Sequence, residues 1–238
     1  MCTAFCGSMK KAVRHQIKAL RFLHLSAYRL PLRTKAILFD LDGTLIDSPK
    51  FWEQAYHDTF GPRGIAFTAA QFREFYPKGV PLREWLEWLG VDSSLEKEIR
   101  AERDRRYEQY LRSQIEWVSG AKDILASLRG KLPIGIVTGS HRSYVHAIDE
   151  RLPLSSSVDV LLTDDDFDNK AHGLRMCIEK FGTAPEQCLY IGDMPFDRDA
   201  ATVVGMDFIL VPHDYTPHAL QSTVKTVSDL RTALGTVP

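Results

Sequence analysis

Beyond Lys35 the chain alternates short apolar runs with stretches whose apolar positions recur every three or four residues. The runs Ala36–Phe39, Ile134–Val137, Val158–Leu162, Leu189–Ile191 and Phe208–Val211 are strand-length and rich in branched side chains, as strands buried on both faces should be. Helical periodicity between them falls near residues 120–129, 142–150, 171–182 and 197–204. Alternation of this kind implies right-handed crossovers. The expected architecture is therefore α/β, a doubly wound, Rossmann-like parallel sheet with helices on both faces.

Residues 48–118 break that rhythm, because they contain several helical patterns and no convincing strand. Ser48-Pro49 predicts a helix start, a capping hydroxyl followed by proline, with Phe51, Trp52, Ala55, Tyr56 and Phe60 on the apolar face and Gly61-Pro62 as the stop. Thr68 and Gln71 have capping-box spacing, and Pro81 opens a short helix bearing Trp85, Leu86 and Leu89. Leu95, Ile99, Tyr107, Leu111 and Ile115 stripe a long charged helix whose run from Glu96 to Arg106 reads as a solvated face. The chain thus divides into an extension over 1–34, a core over 35–47 and 119–238, and a helical insert over 48–118.

A length of 238 residues with 44% hydrophobic content supports one full core. The net charge of -1 hides an asymmetry, since Lys10, Lys11, Arg14, Lys18, Arg21, Arg29, Arg33 and Lys35 precede the first acid. Val13, Ile17, Leu20 and Leu23 share one helical face there, opposite the basic residues. Three readings stand: an organelle presequence, a surface helix touching membrane or nucleic acid, or a start placed too early, with Met9 as the true one. Arg21 and His24 interrupt any secretory apolar stretch. No apolar run approaches the roughly 20 residues of a membrane span. Cys2, Cys6, Cys177 and Cys188 are too few and scattered for a disulfide framework, so the cytoplasm is the expected location.

The chemistry sits where strands end. Ala36–Phe39 runs into Asp40-Leu41-Asp42-Gly43-Thr44, Ile134–Val137 into Thr138-Gly139-Ser140, and Leu189–Ile191 into Gly192-Asp193-Met194-Pro195-Phe196-Asp197. An open parallel sheet binds ligands beyond its carboxyl edge, which brings these groups to one crevice. Carboxylates crowded there would raise one another's pKa unless a cation intervened, and magnesium suits a few acidic oxygens plus a substrate phosphate. Thr138 and the amides beside Gly139 are neutral donors for phosphoryl oxygens, and Lys170, opening a helix, adds positive charge. Lys78 and Arg83 flank Gly79-Val80-Pro81, where a loop leaning over the crevice would select an anionic substrate, although plain surface charge is an equal reading. Asp164, Asp165, Asp166 and Asp168 read as a solvated loop, and His213 and His218 have no zinc spacing.

These residues resemble the haloacid dehalogenase-like superfamily, with its Asp-x-Asp-Gly-Thr loop, a Thr or Ser after the second strand, a Lys, and a Gly-Asp-x-x-x-Asp loop. The likeness covers residues 35 to about 212, and the insert looks like the small helical cap of the phosphoglycolate phosphatase and β-phosphoglucomutase branch. The resemblance implies Asp40 as nucleophile and magnesium ligand. Asp42 becomes general acid then base, with its carbonyl on the metal. Thr138, Gly139 and Lys170 hold the phosphoryl group, Asp193 completes the Mg2+ site and Asp197 supports it. The third motif departs from the common Lys-Pro-x-Pro, reading Lys170-Ala171-His172-Gly173. The expected activity is hydrolysis of a small phosphorylated metabolite through an aspartyl-phosphate, by a monomer or dimer with no nucleic-acid partner. A phosphomutase and a non-catalytic phospho-binding module are the alternatives.

Overall fold

The computed structural model describes residues 33–231. The basic segment expected over 1–34 lies outside the described residues except for Arg33 and Thr34.

Strands β1 (Ala36–Phe39), β2 (Ile134–Val137), β3 (Val160–Leu162), β4 (Cys188–Gly192) and β5 (Asp207–Leu210) form one parallel sheet in the order β3-β2-β1-β4-β5. The doubly wound expectation is met. Register pairs Ile37 with Ile134 on one side of β1 and with Leu189 on the other, so the three strands that end in polar motifs are adjacent. β3 starts two residues later than its sequence pattern, because Asp159 turns its carboxylate back onto the Ile134 N–H (2.8 Å).

Successive residues of β1 feed opposite layers. Ile37 and Phe39 pack with helices α5 (Ala121–Leu128) and α6 (Arg142–Asp149), and Ala36 and Leu38 pack with α7 (Lys170–Phe181) and α8 (Pro195–Val204). A strand buried on both faces needs the unbroken apolar run it has.

Between β1 and β2 lie α1 (Pro49–Phe60), α2 (Ala69–Phe75), α3 (Leu82–Trp88) and α4 (Glu96–Gln114). They enclose a separate aromatic core of Tyr56, Phe60, Phe72, Phe75, Trp85, Leu86 and Ile99. The capping box at Thr68 forms, with the Gln71 N–H donating to the Thr68 hydroxyl at 3.3 Å. Ser48 does not cap α1; its backbone is already helical and its hydroxyl leaves for Asp42. Leu95 also departs from the expected stripe, lying before α4 and exposed, while Ile99, Tyr107 and Leu111 are buried.

The chain passes between the sheet and the insert at one place, and Phe51, Ala55, Tyr107 and Leu111 of the insert also pack into the sheet-side core. Ile46 bridges Trp117, and the Val118 N–H donates to the Leu45 carbonyl at 2.9 Å. A second attachment comes from the loop after β5. His213 Nε2 lies 3.1 Å from the Asp47 carboxylate, and the Tyr215 hydroxyl donates to Glu53 at 2.7 Å. A short helix α9 (His218–Gln221) follows.

Candidate active site

Asp40 follows β1 immediately, and its N–H still donates along the sheet to the Ile191 carbonyl at 2.8 Å. The chain then closes a tight loop in which the Gly43 N–H donates to the Ile46 carbonyl. Gly43 has φ +82°, and a Cβ there would come within 2.5 Å of Asp193 Oδ2. Only glycine lets the two loops approach this closely.

Asp193 is fully buried at the end of β4. Its Oδ1 accepts from the Thr44 hydroxyl at 3.1 Å, whereas its Oδ2 is buried with no hydrogen-bond partner. Asp197 differs. Its Oδ2 accepts from the Met194 and Asp193 N–H groups at 3.0 and 3.3 Å, and its Oδ1 from the Tyr190 hydroxyl at 3.1 Å. Gly192 makes room for it, since a Cβ would meet Asp197 Cγ at 2.6 Å. Lys170, the first residue of α7, donates to Asp40 Oδ1 and to Asp197 Oδ1, both at 2.6 Å. The helix start that aims it is capped by Asn169, whose side chain accepts from the His172 N–H.

Acids outnumber bases here, and the electrostatics show it. Burial raises Asp40 to about 8; Lys170 pulls it down, and Asp197 and Asp42 push it up. Burial, then Asp40 and Asp197, hold Asp193 far above the ordinary carboxyl range. Burial works against the Lys170 ammonium, yet Asp197 and Asp40 more than offset it, so the lysine stays charged.

Carboxylate oxygens of Asp40, Asp193 and Asp197 lie within 4.8 Å of one another. Both Asp197 oxygens are engaged, which leaves Asp40 and the orphaned Asp193 Oδ2 as the pair facing a common space. One orphaned buried oxygen beside a second carboxylate at this spacing fits a small hard cation, which would relieve both raised pKa values.

The Asp42 carboxylate is not part of this group. It turns to four hydroxyls: Ser48 at 2.6 Å and Tyr107 at 3.2 Å on Oδ1, Ser140 at 2.7 Å and Thr138 at 3.2 Å on Oδ2. Only its backbone is left for the metal contact that the sequence suggested. Two donors come from the insert side and two from the sheet, so this carboxylate spans the two layers.

The crevice between the layers holds about 490 Å³. Asp40, Asp42, Gly139 and Lys170 line its floor, and Trp52, Tyr56, Tyr76, Trp85, Tyr107 and Arg103 its upper walls. Lys78 also lines it, within 4.4 Å of the Phe75 ring and 3.1 Å from Glu74. Arg83 does not; its side chain is 63% exposed and reaches Glu96.

Arg103 corrects the solvated-face reading of Glu96 to Arg106, because it is 3% exposed. Its guanidinium donates to the Tyr56 hydroxyl and to Asp104, and lies 4.3 Å from the Trp52 ring. The signal was present, since 99, 103, 107 and 111 recur every fourth residue and share one helix face. Ser140, Tyr107 and Tyr76 were also missed as site residues, and only Ser140, next to Thr138-Gly139, lay inside a motif.

The haloacid dehalogenase-like hydrolase family matches residues 37–211. The phosphoglycolate phosphatase of Xanthomonas campestris pv. campestris is 30% identical over 177 residues, 72% of this chain and 80% of that protein. Among solved structures, a haloacid dehalogenase-like family hydrolase from Streptococcus pneumoniae superposes with a TM-score of 0.71 at 24% identity, covering 82% of this chain and 94% of the other. CbbY from Rhodobacter sphaeroides, in complex with phosphate, gives 0.71 at 20% identity, covering 82% and 94%. The chain belongs to the haloacid dehalogenase-like hydrolase family and is one of its phosphatases.

Proposed function

We propose that the protein hydrolyses a small phosphorylated acid, sugar or nucleoside by magnesium-dependent transfer of the phosphoryl group to Asp40. The observation that carries this reading is the pairing of Asp40 with the orphaned Asp193 oxygen on one side and Lys170 on the other. A carboxylate held by a lysine at the mouth of an acidic cluster is a nucleophile placed where phosphoryl charge is neutralised. The phosphate bound to the CbbY relative and the phosphoglycolate hydrolysed by the Xanthomonas relative point to the same class of ligand.

Asp40 and Asp193, with the Asp42 carbonyl, would hold Mg2+. When bound, the ion neutralises charge on the phosphoryl oxygens. An Asp40 oxygen attacks phosphorus as the bond to the leaving oxygen breaks, and Asp42 gives that oxygen a proton. Asp42 then takes a proton from water, whose oxygen attacks phosphorus, freeing inorganic phosphate and restoring the Asp40 carboxylate. Lys170, Thr138 and the Gly139 backbone orient the phosphoryl group, and Asp197 holds Lys170 in place. Asp42 must exchange some of its four hydroxyl partners to reach the leaving group. Because Tyr107 belongs to the insert, that exchange is tied to the insert's position, and residues 48–118 act as a cap that excludes water.

Purified protein assayed with magnesium against a panel of metabolite phosphates tests the reading. Steady release of inorganic phosphate, without a phosphorylated starter, separates hydrolysis from mutase action. Phosphate binding with no turnover on any ester would overturn the proposal in favour of a binding module.

A further inference from the structure

Tyr76 belongs to the insert, yet its ring lines the crevice alongside Asp40 and Asp42. Other phenols nearby are committed: the Tyr107 hydroxyl donates to Asp42, and the Tyr56 hydroxyl accepts from Arg103. The Tyr76 hydroxyl pairs with no described side chain, although three carboxylates act on it. Burial first, then Asp193, Asp42, Tyr107 and Asp40, hold its pKa well above that of a free phenol. It is therefore a donor throughout the neutral range, as an unperturbed phenol would be too.

The ring is fixed from behind. Tyr76 stacks on Phe72 with centroids 5.0 Å apart and planes at 16°. Tyr215, from the sheet-side loop after β5, meets both rings edge-on at 6.1 and 5.5 Å. Tyr215 is itself held by its bond to Glu53 and by the Arg73 guanidinium 5.3 Å from its ring. A loop of the core thus braces an insert residue that lines the same crevice as Asp40 and Asp42.

We propose that the Tyr76 hydroxyl donates a hydrogen bond to an oxygen of the substrate phosphoryl group, and that Tyr215 is the positioning residue that holds it there. Lys170, Thr138 and the Gly139 amide approach from the sheet, and Tyr76 supplies a donor from the opposite wall. The inference rests on the phosphatase reading. A neutral hydroxyl suits this wall, because Lys78 on the same side of the crevice is already paired with Glu74 and Lys170 supplies positive charge from the sheet.

The test uses p-nitrophenyl phosphate turnover and orthovanadate affinity of the full chain with magnesium. Tyr76→Phe keeps the stacked ring, so its melting temperature should match the parent, while kcat falls roughly tenfold and KM stays within about twofold. Orthovanadate should bind more weakly by a similar factor. Tyr215→Ala should reproduce the loss, Tyr215→Phe should recover most of it, and Tyr76→Phe combined with Tyr215→Ala should fall no further than either alone. Parent-like kcat and orthovanadate affinity in Tyr76→Phe would overturn the role while leaving the phosphatase reading intact. A parent protein that neither turns over the ester nor binds orthovanadate would overturn both.

Discussion

The sheet core and the helical insert each bury charge, and they balance it in opposite ways. In the core, Asp40, Asp193 and Asp197 surround one ammonium, Lys170, and an Asp193 oxygen has no partner at all. In the insert, the one guanidinium among the buried side chains described, Arg103, has Asp104, the Tyr56 hydroxyl and two aromatic faces to itself. A satisfied charge stabilises its own layer. A surplus of acid destabilises its layer until something positive arrives, and the difference separates a wall from a binding site.

Replacing the core nucleophile sharpens this contrast most. Asp40→Asn should lower turnover by on the order of 10⁴-fold or more and abolish covalent labelling by phosphate, measured by steady-state assay and intact mass. Because it removes a carboxylate from an acid-rich site, the same variant should melt no lower than the parent. In the insert the balance should tip the other way. Arg103→Met strands the Tyr56 hydroxyl and Asp104, so urea unfolding should show a loss of about 2 kcal/mol. An unchanged midpoint would mean that the insert does not depend on that charge.

Next in size is the response to magnesium. Asp40 titrates near 8 in the folded chain against an ordinary value of 3.8, so the folded protein holds a proton that the unfolded chain has lost. That contribution is complete below the unfolded value and disappears as pH rises through 8. The cation-free protein should therefore lose stability between roughly pH 4 and 8, and magnesium should raise its melting temperature more at pH 8 than at pH 6. An equal shift at both values would detach cation binding from these acids. The smallest effects belong to the crevice rim. Arg83→Gln should leave both kinetics and the unfolding midpoint unchanged, given an exposed ion pair, whereas Lys78→Gln should raise KM.

Much of the core was legible in sequence because parallel strands need unbroken apolar runs, and an acid immediately after such a run has nowhere to lie but the sheet's carboxyl edge. Asp40, Thr138 and Asp193 are placed by that rule alone. The insert was legible in its helices and hardly at all in its contribution to the crevice. Arg103 sat in a run of charges whose neighbours are solvated, so residue type pointed outward while position pointed inward. The partners of Asp42 were hidden for another reason: Tyr107 and Ser140 are 65 and 98 residues away from it, and no local pattern records a contact made by closing two layers together. Ser48 was misassigned because a serine before a proline satisfies the helix-start pattern whether its hydroxyl turns to its own helix or across a loop.

The chain enters and leaves the insert at neighbouring points, where Ile46 bridges Trp117. Entry and exit therefore form one narrow doorway rather than two separate crossings. That doorway makes the insert exchangeable as one unit: a helical segment spliced between those two positions would find Asp40, Asp193 and Lys170 already in place on the sheet. It would have to restore the partners that Ser48 and Tyr107 give Asp42 and the apolar face that Phe51 and Leu111 pack into the sheet-side core.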